Sequence, residues 1–179
     1  AKTEHAIFLT GLAMGTTYHV QLISTDAAGN AMASSDLTFK TTSDIGSAPY
    51  MGSVAPNFKL KTLDGGEVML SQFRGRKVLL NFWASWCSPC KIELPHIQAL
   101  WEKIENNNDV MVLTVAGSGS DMNVLKSVVS GSGFTFIVAL DDSDDVFNRY
   151  GIVSIPKTFF IDKDGVIRRV FEGVNPQGV

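Results

Sequence analysis

The sequence predicts an α/β fold preceded by a separate β segment, on three observations. A nearly continuous apolar run, Lys77-Val78-Leu79-Leu80-Asn81-Phe82-Trp83, has the length of a strand covered on both faces. Beyond it Ile92, Leu94, Ile97, Leu100, Trp101 and Ile104 recur at three- and four-residue spacing, the period of an amphipathic helix. Upstream, Phe8 to Thr42 is rich in Thr, Ser, Ala and Gly and alternates apolar with polar residues, with no helical period.

A length of 179 residues accommodates one ordinary domain and part of another. The hydrophobic fraction of 45%, charged fraction of 18% and net charge of -3 describe a globular protein, neither disordered nor built to coat nucleic acid. Val78 to Leu80 and Val110 to Val115, the longest apolar stretches, fall far short of the roughly 20 residues that span a bilayer. Ala1-Lys2-Thr3-Glu4-His5 lacks the basic-then-apolar pattern of a secretory signal. Any membrane attachment or targeting segment is expected outside this stretch of sequence.

Residues 1–43 read as β structure. Tyr18 to Ser24 alternates around β-formers, Asp26-Ala27-Ala28-Gly29-Asn30 is a turn signal, and Leu37-Thr38-Phe39-Lys40-Thr41 alternates again. Two antiparallel strands joined by a loop follow. Leu12-Ala13-Met14-Gly15-Thr16-Thr17-Tyr18 and Ser24 to Asn30 together resemble the last strands of a fibronectin type III domain, a resemblance that implies a tyrosine-corner role for Tyr18. It covers a third to a half of such a module, so the expectation is a piece of a longer protein whose partial β-sandwich-type segment is a spacer without chemistry. Residues 44–53, with Ser47, Pro49 and Gly52, have linker composition, and residues 54–179 form the second domain.

Within that domain the strand Lys77 to Trp83 leads through Ala84-Ser85-Trp86 into Cys87-Ser88-Pro89-Cys90, and the helix begins around the cysteines. A cysteine there meets unpaired backbone N–H groups and the helix dipole, both of which favour thiolate over thiol. Cys87 is therefore the candidate nucleophile. Cys90, one turn on, is placed to attack a mixed disulfide formed on Cys87. Pro89 stiffens the first turn where a missing N–H costs little. A lone Cys-x-x-Cys can also be half a zinc site or a pair of core thiols. However, the chain has only these two cysteines, and His5, His19 and His96 are scattered, so neither a metal nor an organic cofactor is expected. Trp83 reads as core packing, Trp86 as a shield and partner contact beside the pair, and Lys91 as a solvated helix-surface residue.

The remaining elements follow in order. Val110 to Val115 reads as a strand, Met122 to Val129 as a helix, Phe136 to Leu140 as a strand and Asp144 to Tyr150 as a short helix. Thr158 to Ile161 and Val166 to Phe171 form a hairpin around Asp162-Lys163-Asp164-Gly165, which lacks the ligand spacing of a calcium loop and reads as a turn. Asp141, Asp142, Asp144 and Asp145 suit a helix-capping loop. Gly117-Ser118-Gly119-Ser120 suits a flexible loop, and Pro95 a kink in its helix.

Val54-Ala55-Pro56-Asn57-Phe58, Leu63-Asp64-Gly65, Leu80-Asn81-Phe82-Trp83-Ala84-Ser85-Trp86-Cys87-Ser88-Pro89-Cys90 and Ile155-Pro156-Lys157-Thr158-Phe159-Phe160-Ile161-Asp162 resemble the TlpA/ResA group of extracytoplasmic thioredoxins. The resemblance spans residues 54 to about 173, where that group would continue into a final helix. It implies a thioredoxin-like three-layer fold with a central mixed sheet, Cys87 and Cys90 as the active pair, Pro156 as a cis-proline facing them, and Glu93 as an active-site glutamate. An ordinary first-turn glutamate is the alternative for Glu93. A cis Pro156 would leave the Ile155 N–H and C=O to pair with an extended substrate strand. Asn81 stands where cytosolic-type thioredoxins carry a buried aspartate, a place in proton transfer that Glu93 could fill. The resemblance further implies an extracytoplasmic reductant acting on protein thiols and disulfides, apocytochrome c among them. Two other readings stand beside it. One is an extracellular binding or adhesion module in which the disulfide is static, and the other is a thiol peroxidase, since Ala55-Pro56-Asn57-Phe58 also resembles a peroxiredoxin opening.

Overall fold

A computed structural model describes residues 16–26, 28–40, 48–117 and 119–174. The chain divides into two units, Ala1–Gly46 and Ser47–Val179. The first carries β1 (Thr17–Val20), β2 (Ile23–Thr25), β3 (Ala31–Ala33) and β4 (Leu37–Lys40). β1 pairs antiparallel with β4, and β2 with β3. The two strands expected from the sequence are thus four. Between the two ladders Gln21 and Leu22 stand opposite three residues, Ser34, Ser35 and Asp36, and the mismatch interrupts the pairing. Backbone groups at the break are satisfied locally: the Leu22 N–H donates to Ser34 Oγ at 3.0 Å and the Ser34 N–H to the Leu22 carbonyl at 2.8 Å. At the turn the Asp26 carboxylate accepts from the Asn30 side chain and from the Asn30 and Ala28 N–H groups, each at 2.9 Å. The hydrogen bonds from Asn30 hold that carboxyl below its ordinary value. Tyr18 stacks on Phe39 across β1 and β4, with ring centroids 5.8 Å apart. Residues 1–15, 27 and 41–43 of the expected β segment, with 44–47 of the expected linker, lie outside the described residues.

Linker composition is overridden by an available strand edge over residues 52–55. The Gly52 N–H donates to the Ile167 carbonyl at 2.7 Å, the Ile167 N–H to the Ser53 carbonyl at 2.9 Å, and the Ala55 N–H to the Gly165 carbonyl at 2.9 Å. The strands of this unit are β5 (Lys59–Thr62), β6 (Glu67–Met69), β7 (Lys77–Trp83), β8 (Val110–Gly117), β9 (Ile137–Asp141), β10 (Lys157–Ile161) and β11 (Ile167–Glu172). They form one sheet in the order β11-β10-β7-β8-β9-β5-β6. β7, β8 and β9 run parallel and the outer pairs antiparallel, which makes the sheet mixed. β7 keeps its expected limits to the residue. β5 and β6 were not legible in the sequence, because Lys59-Leu60-Lys61-Thr62, one strand in from the sheet edge, exposes alternate side chains and offers no apolar run.

Among the described residues three helices cover the sheet: α1 (Ser88–Ile104), α2 (Met122–Gly131) and α3 (Asp145–Arg149). Alternation along the strands sorts the core into two clusters. Leu79, Trp83, Val112, Ala116 and Val138 pack with Leu94 and Ile97 of α1 and Leu125 of α2. Leu80, Phe82, Leu113, Val115 and Phe159 pack on the other face with Val146, Tyr150 and the 3-10 turn Leu70–Phe73. The layers are therefore α1 and α2, the sheet, then α3 with the 3-10 turn. In α1 the buried positions are Cys90, Glu93, Leu94, Ile97 and Gln98. Ile92, counted above in the apolar stripe, is 61% exposed, because two residues along a helix turn a side chain by about 200°. The helix runs continuously through Pro95. In the acidic loop Asp141 does the capping, its Oδ2 accepting from the Phe147 N–H at 2.8 Å, while Asp144 sits at φ 54°. Ser118 of the expected 117–120 loop lies outside the described residues. No helix among the described residues is long and apolar enough to cross a membrane.

Candidate functional site

β7 delivers the chain to the site and α1 carries it away. Cys87 is the N-cap of α1, its Sγ accepting from the Cys90 N–H at 3.2 Å, with Pro89 in the first turn and no acidic residue there. Cys87 and Cys90 form a disulfide, with 5.3 Å between their Cα atoms. Cys87 is 4% exposed and Cys90 fully buried, so solvent reaches the pair at Cys87. The Ile155–Pro156 bond is cis, as the resemblance implies. Its loop meets the disulfide: the Ile155 carbonyl oxygen lies 3.8 Å from Cys87 Sγ, although the two are 68 residues apart.

Beneath the disulfide, on the α1 face of the sheet, lies a buried polar cluster. Asn81 of β7 donates from Nδ2 to Glu93 Oε2 at 3.0 Å and to Thr158 Oγ1 of β10 at 2.9 Å. All three residues are at most 2% exposed. Glu93 is therefore a buried, hydrogen-bonded carboxyl one turn along the helix from Cys90. Trp83 is buried, donating from its indole to Thr114 Oγ1 at 3.3 Å, as core packing requires. Trp86 is 61% exposed, and Lys91 is exposed. Ala84, Trp86, Phe147, Ile152, Val153 and Ile155 line a groove of about 190 Å³ at this end of the sheet. The approach to the cysteines is pinned from β8's far end: Ser120 Oγ is bonded by the Ser85 N–H and Ser85 Oγ by the Asp121 N–H, each at 3.1 Å.

The structure thus brings together Cys87, Cys90 and Ile155 at the disulfide, with Trp86 at the surface beside them, Pro156 buried in the facing loop and Glu93 below. Sequence reasoning passed over Thr158, Ser85 and Asp121. The available signal for Thr158 was a polar residue in the middle of an apolar strand, as at Asn81. No group of three or more His, Cys, Asp or Glu among the described residues is arranged to hold a metal ion.

The AhpC/TSA family matches residues 51–170. Thiol-disulfide oxidoreductase ResA of Geobacillus thermodenitrificans is 39% identical over 126 residues, covering 70% of this chain and 71% of the relative. A proposed protein disulfide isomerase from Bacteroides thetaiotaomicron superposes with a TM-score of 0.68 at 29% identity, over 74% of this chain and 85% of that one. The pneumococcal exposed lipoprotein thioredoxin Etrx1 from Streptococcus pneumoniae superposes with a TM-score of 0.60 at 32% identity, over 68% of this chain and 93% of that one.

Proposed function

We propose that this chain, which belongs to the AhpC/TSA family, is a thiol-disulfide oxidoreductase exchanging disulfides with protein substrates through Cys87 and Cys90. The observation that carries the reading is the Cys87–Cys90 disulfide at the N-terminus of α1, with a backbone carbonyl against its outer sulfur. In the reduced protein the Cys87 thiolate, favoured by the helix N-terminus, attacks one sulfur of a substrate disulfide and expels the other as a thiolate. Cys90 then gives up its proton, and its thiolate attacks Cys87 Sγ. The mixed disulfide breaks, the second substrate thiolate leaves, and Cys87–Cys90 is restored with two electrons passed to the substrate. A dithiol reductant returns the pair to its starting state. Glu93 is the acceptor we assign to the Cys90 proton, since it is buried one turn from Cys90 on the same helix face.

Substrate binding falls to Trp86, Ile155 and Pro156. No hydrogen bond is made to the Ile155 N–H among the described residues, which suits pairing with an extended substrate strand. Trp86 offers an exposed aromatic face beside a groove large enough for one apolar side chain. We favour the reducing direction, with an oxidised apocytochrome c as one fitting partner, and an extracytoplasmic location. The likeness to an exposed lipoprotein supports that location. The hairpin β1–β4 we read as the end of a fibronectin type III-like spacer.

The family match and Ala55-Pro56-Asn57-Phe58 favour thiol peroxidase as a second reading. That segment packs on the other face of the sheet from the disulfide. Phe58 joins the cluster of Phe82 and Tyr150, and the Pro56 carbonyl accepts from Tyr150 Oη at 2.7 Å. Peroxide-dependent turnover discriminates the two. The deciding measurement for the primary reading is the reduction potential of the pair, by glutathione equilibration followed through Trp fluorescence. A value between roughly -120 and -270 mV with rapid exchange supports it, and a slow disulfide below about -300 mV points to a static bond in a binding module.

A further inference from the structure

Asn81 is fully buried, and its amide is used in one sense only. Nδ2 donates to both Glu93 and Thr158, whereas Oδ1 has no hydrogen-bond partner among the described residues. A buried carbonyl without a donor is unfavourable, and an asparagine whose nitrogen serves two acceptors tolerates it only where the donors matter. The bond to Glu93 Oε2 is strongest when Glu93 is a carboxylate. A protonated Glu93 would instead have an O–H to give, which the amide can take only by turning through 180° to present Oδ1. Thr158, opposite Asn81 in the β7–β10 register, holds the other end of the amide.

We propose that Asn81, braced by Thr158, is a positioning residue that favours the ionised form of Glu93 and so sets the lower edge of the pH range over which the cysteine pair turns over. The proposal rests on the reading of Glu93 as the acceptor of the Cys90 proton. The charges of this face on β5 and β6, Lys61 in register with Leu140 and Lys59 paired with Glu67 at 2.8 Å, lie beyond β8 and β9 from Asn81. Along the α1 face the strands bring Leu79, Asn81 and Trp83 from β7, Val112, Thr114 and Ala116 from β8, Val138 and Leu140 from β9, and Thr158 and Phe160 from β10, none of them titratable. From β11 Arg169, exposed and paired in register with Phe160, lies two residues along from Thr158, and Arg168 lines a cavity with Leu100 and Ile104 of α1 while its Nε donates to Asp162 Oδ2 at 2.7 Å. Lys157 points to the opposite face, to Glu172 at 2.6 Å. On α1 itself the neighbours are Cys90, with Cys87 at the cap, and the exposed Lys91 and His96.

The test titrates the reduced chain, labelled with ¹³C-carboxyl glutamate, as the native protein and as Asn81→Leu and Thr158→Val, with Glu93→Gln identifying the Glu93 resonance. The midpoint at which Glu93 takes up its proton is expected to rise by about one pH unit or more in Asn81→Leu and by less in Thr158→Val. The acid limb of the pH–rate profile for disulfide reduction should move with it, and Asn81→Leu should leave that limb in place when Glu93→Gln is present. A midpoint unchanged in both variants overturns the proposal, because a packing role would lower Tm and leave the titration where it was. If Asn81→Leu does not fold, Asn81→Asp takes its place. Two carboxylates at hydrogen-bond distance should then titrate in two coupled steps more than about one unit apart, and a single unshifted step overturns the proposal. Absence of exchange by the native chain would defeat the oxidoreductase reading alone, since the Glu93 midpoint is read without turnover.

Discussion

Phe82 and Asn81 are neighbours on β7 and go to opposite sides of the sheet. Phe82 sits among Tyr150, Phe147 and Phe159, with ring centroids 5.0, 5.2 and 5.7 Å away, on a face that is aromatic and continuous. Packing is close enough that a Cβ on Gly117 would stand 2.6 Å from the Phe147 ring. Asn81 sits on the α1 face, where Glu93, Thr158, Thr114 and the disulfide interrupt the apolar packing. Period-two alternation lets one strand serve both sides at once. The lesson is a division of labour: the aromatic face supplies apolar burial to hold the sheet, so the α1 face can carry the disulfide and buried polar groups that cost stability.

Substitutions on the two faces should therefore separate exchange from stability. The largest effect is on the α1 face. Cys87→Ser should lower the disulfide-exchange rate by at least about 10³-fold, measured against a protein disulfide. Its unfolding midpoint should change little, since the bond joins cysteines only three positions apart and closes a very short loop. Next, on the aromatic face, Phe82→Ala should cost about 3–5 kcal/mol in urea unfolding and leave exchange per folded molecule unchanged. A large loss of exchange in the folded variant would break the division. Trp86→Ala is expected to reduce kcat/KM for a protein substrate about tenfold while moving stability by less than about 0.5 kcal/mol, because the ring is mostly exposed.

Smaller effects sharpen the contrast through pH. Burial pushes the Tyr150 phenol above its ordinary value of 10.0. The folded state then prefers the neutral phenol, and this contribution is whole below about pH 10 and lost as pH rises beyond it. Tyr150→Phe should cost about 1–3 kcal/mol at pH 7, by leaving the Pro56 carbonyl unpaired, and should blunt alkaline unfolding followed by Trp fluorescence. The smallest change concerns Asp141, whose carboxyl burial raises above its ordinary value of 3.8. A raised acid contributes below that value and loses the contribution as pH climbs through the folded one. Asp141→Asn keeps an acceptor for the Phe147 N–H, so it should gain about 1 kcal/mol or less at pH 7. The gain should vanish in acid.

Legibility in the sequence followed the range of the interactions. β7 was readable to its limits because its signal is an uninterrupted apolar run, and α1 because Leu94, Ile97 and Trp101 keep helical spacing. The N-terminal strands were harder to place. Tyr18 to Ser24 alternates throughout, yet two residues face three across the hairpin, and only the partner strand reveals the mismatch. At the site, Asn81 and Thr158 were visible as polar residues in apolar strands, but nothing in either segment named the other.

By itself, then, the sequence determined the redox pair and its setting: Cys87 and Cys90 between a buried strand and a helix start, where local backbone geometry and unpaired N–H groups decide thiol chemistry. Tertiary structure alone decided that the Ile155 carbonyl meets Cys87 across 68 residues and that Asn81 joins Glu93 to Thr158 across 12 and 77. The reason is physical. A strand's register and a loop's approach depend on how whole elements pack, and residue spacing encodes only those forces that act within a turn or along a strand.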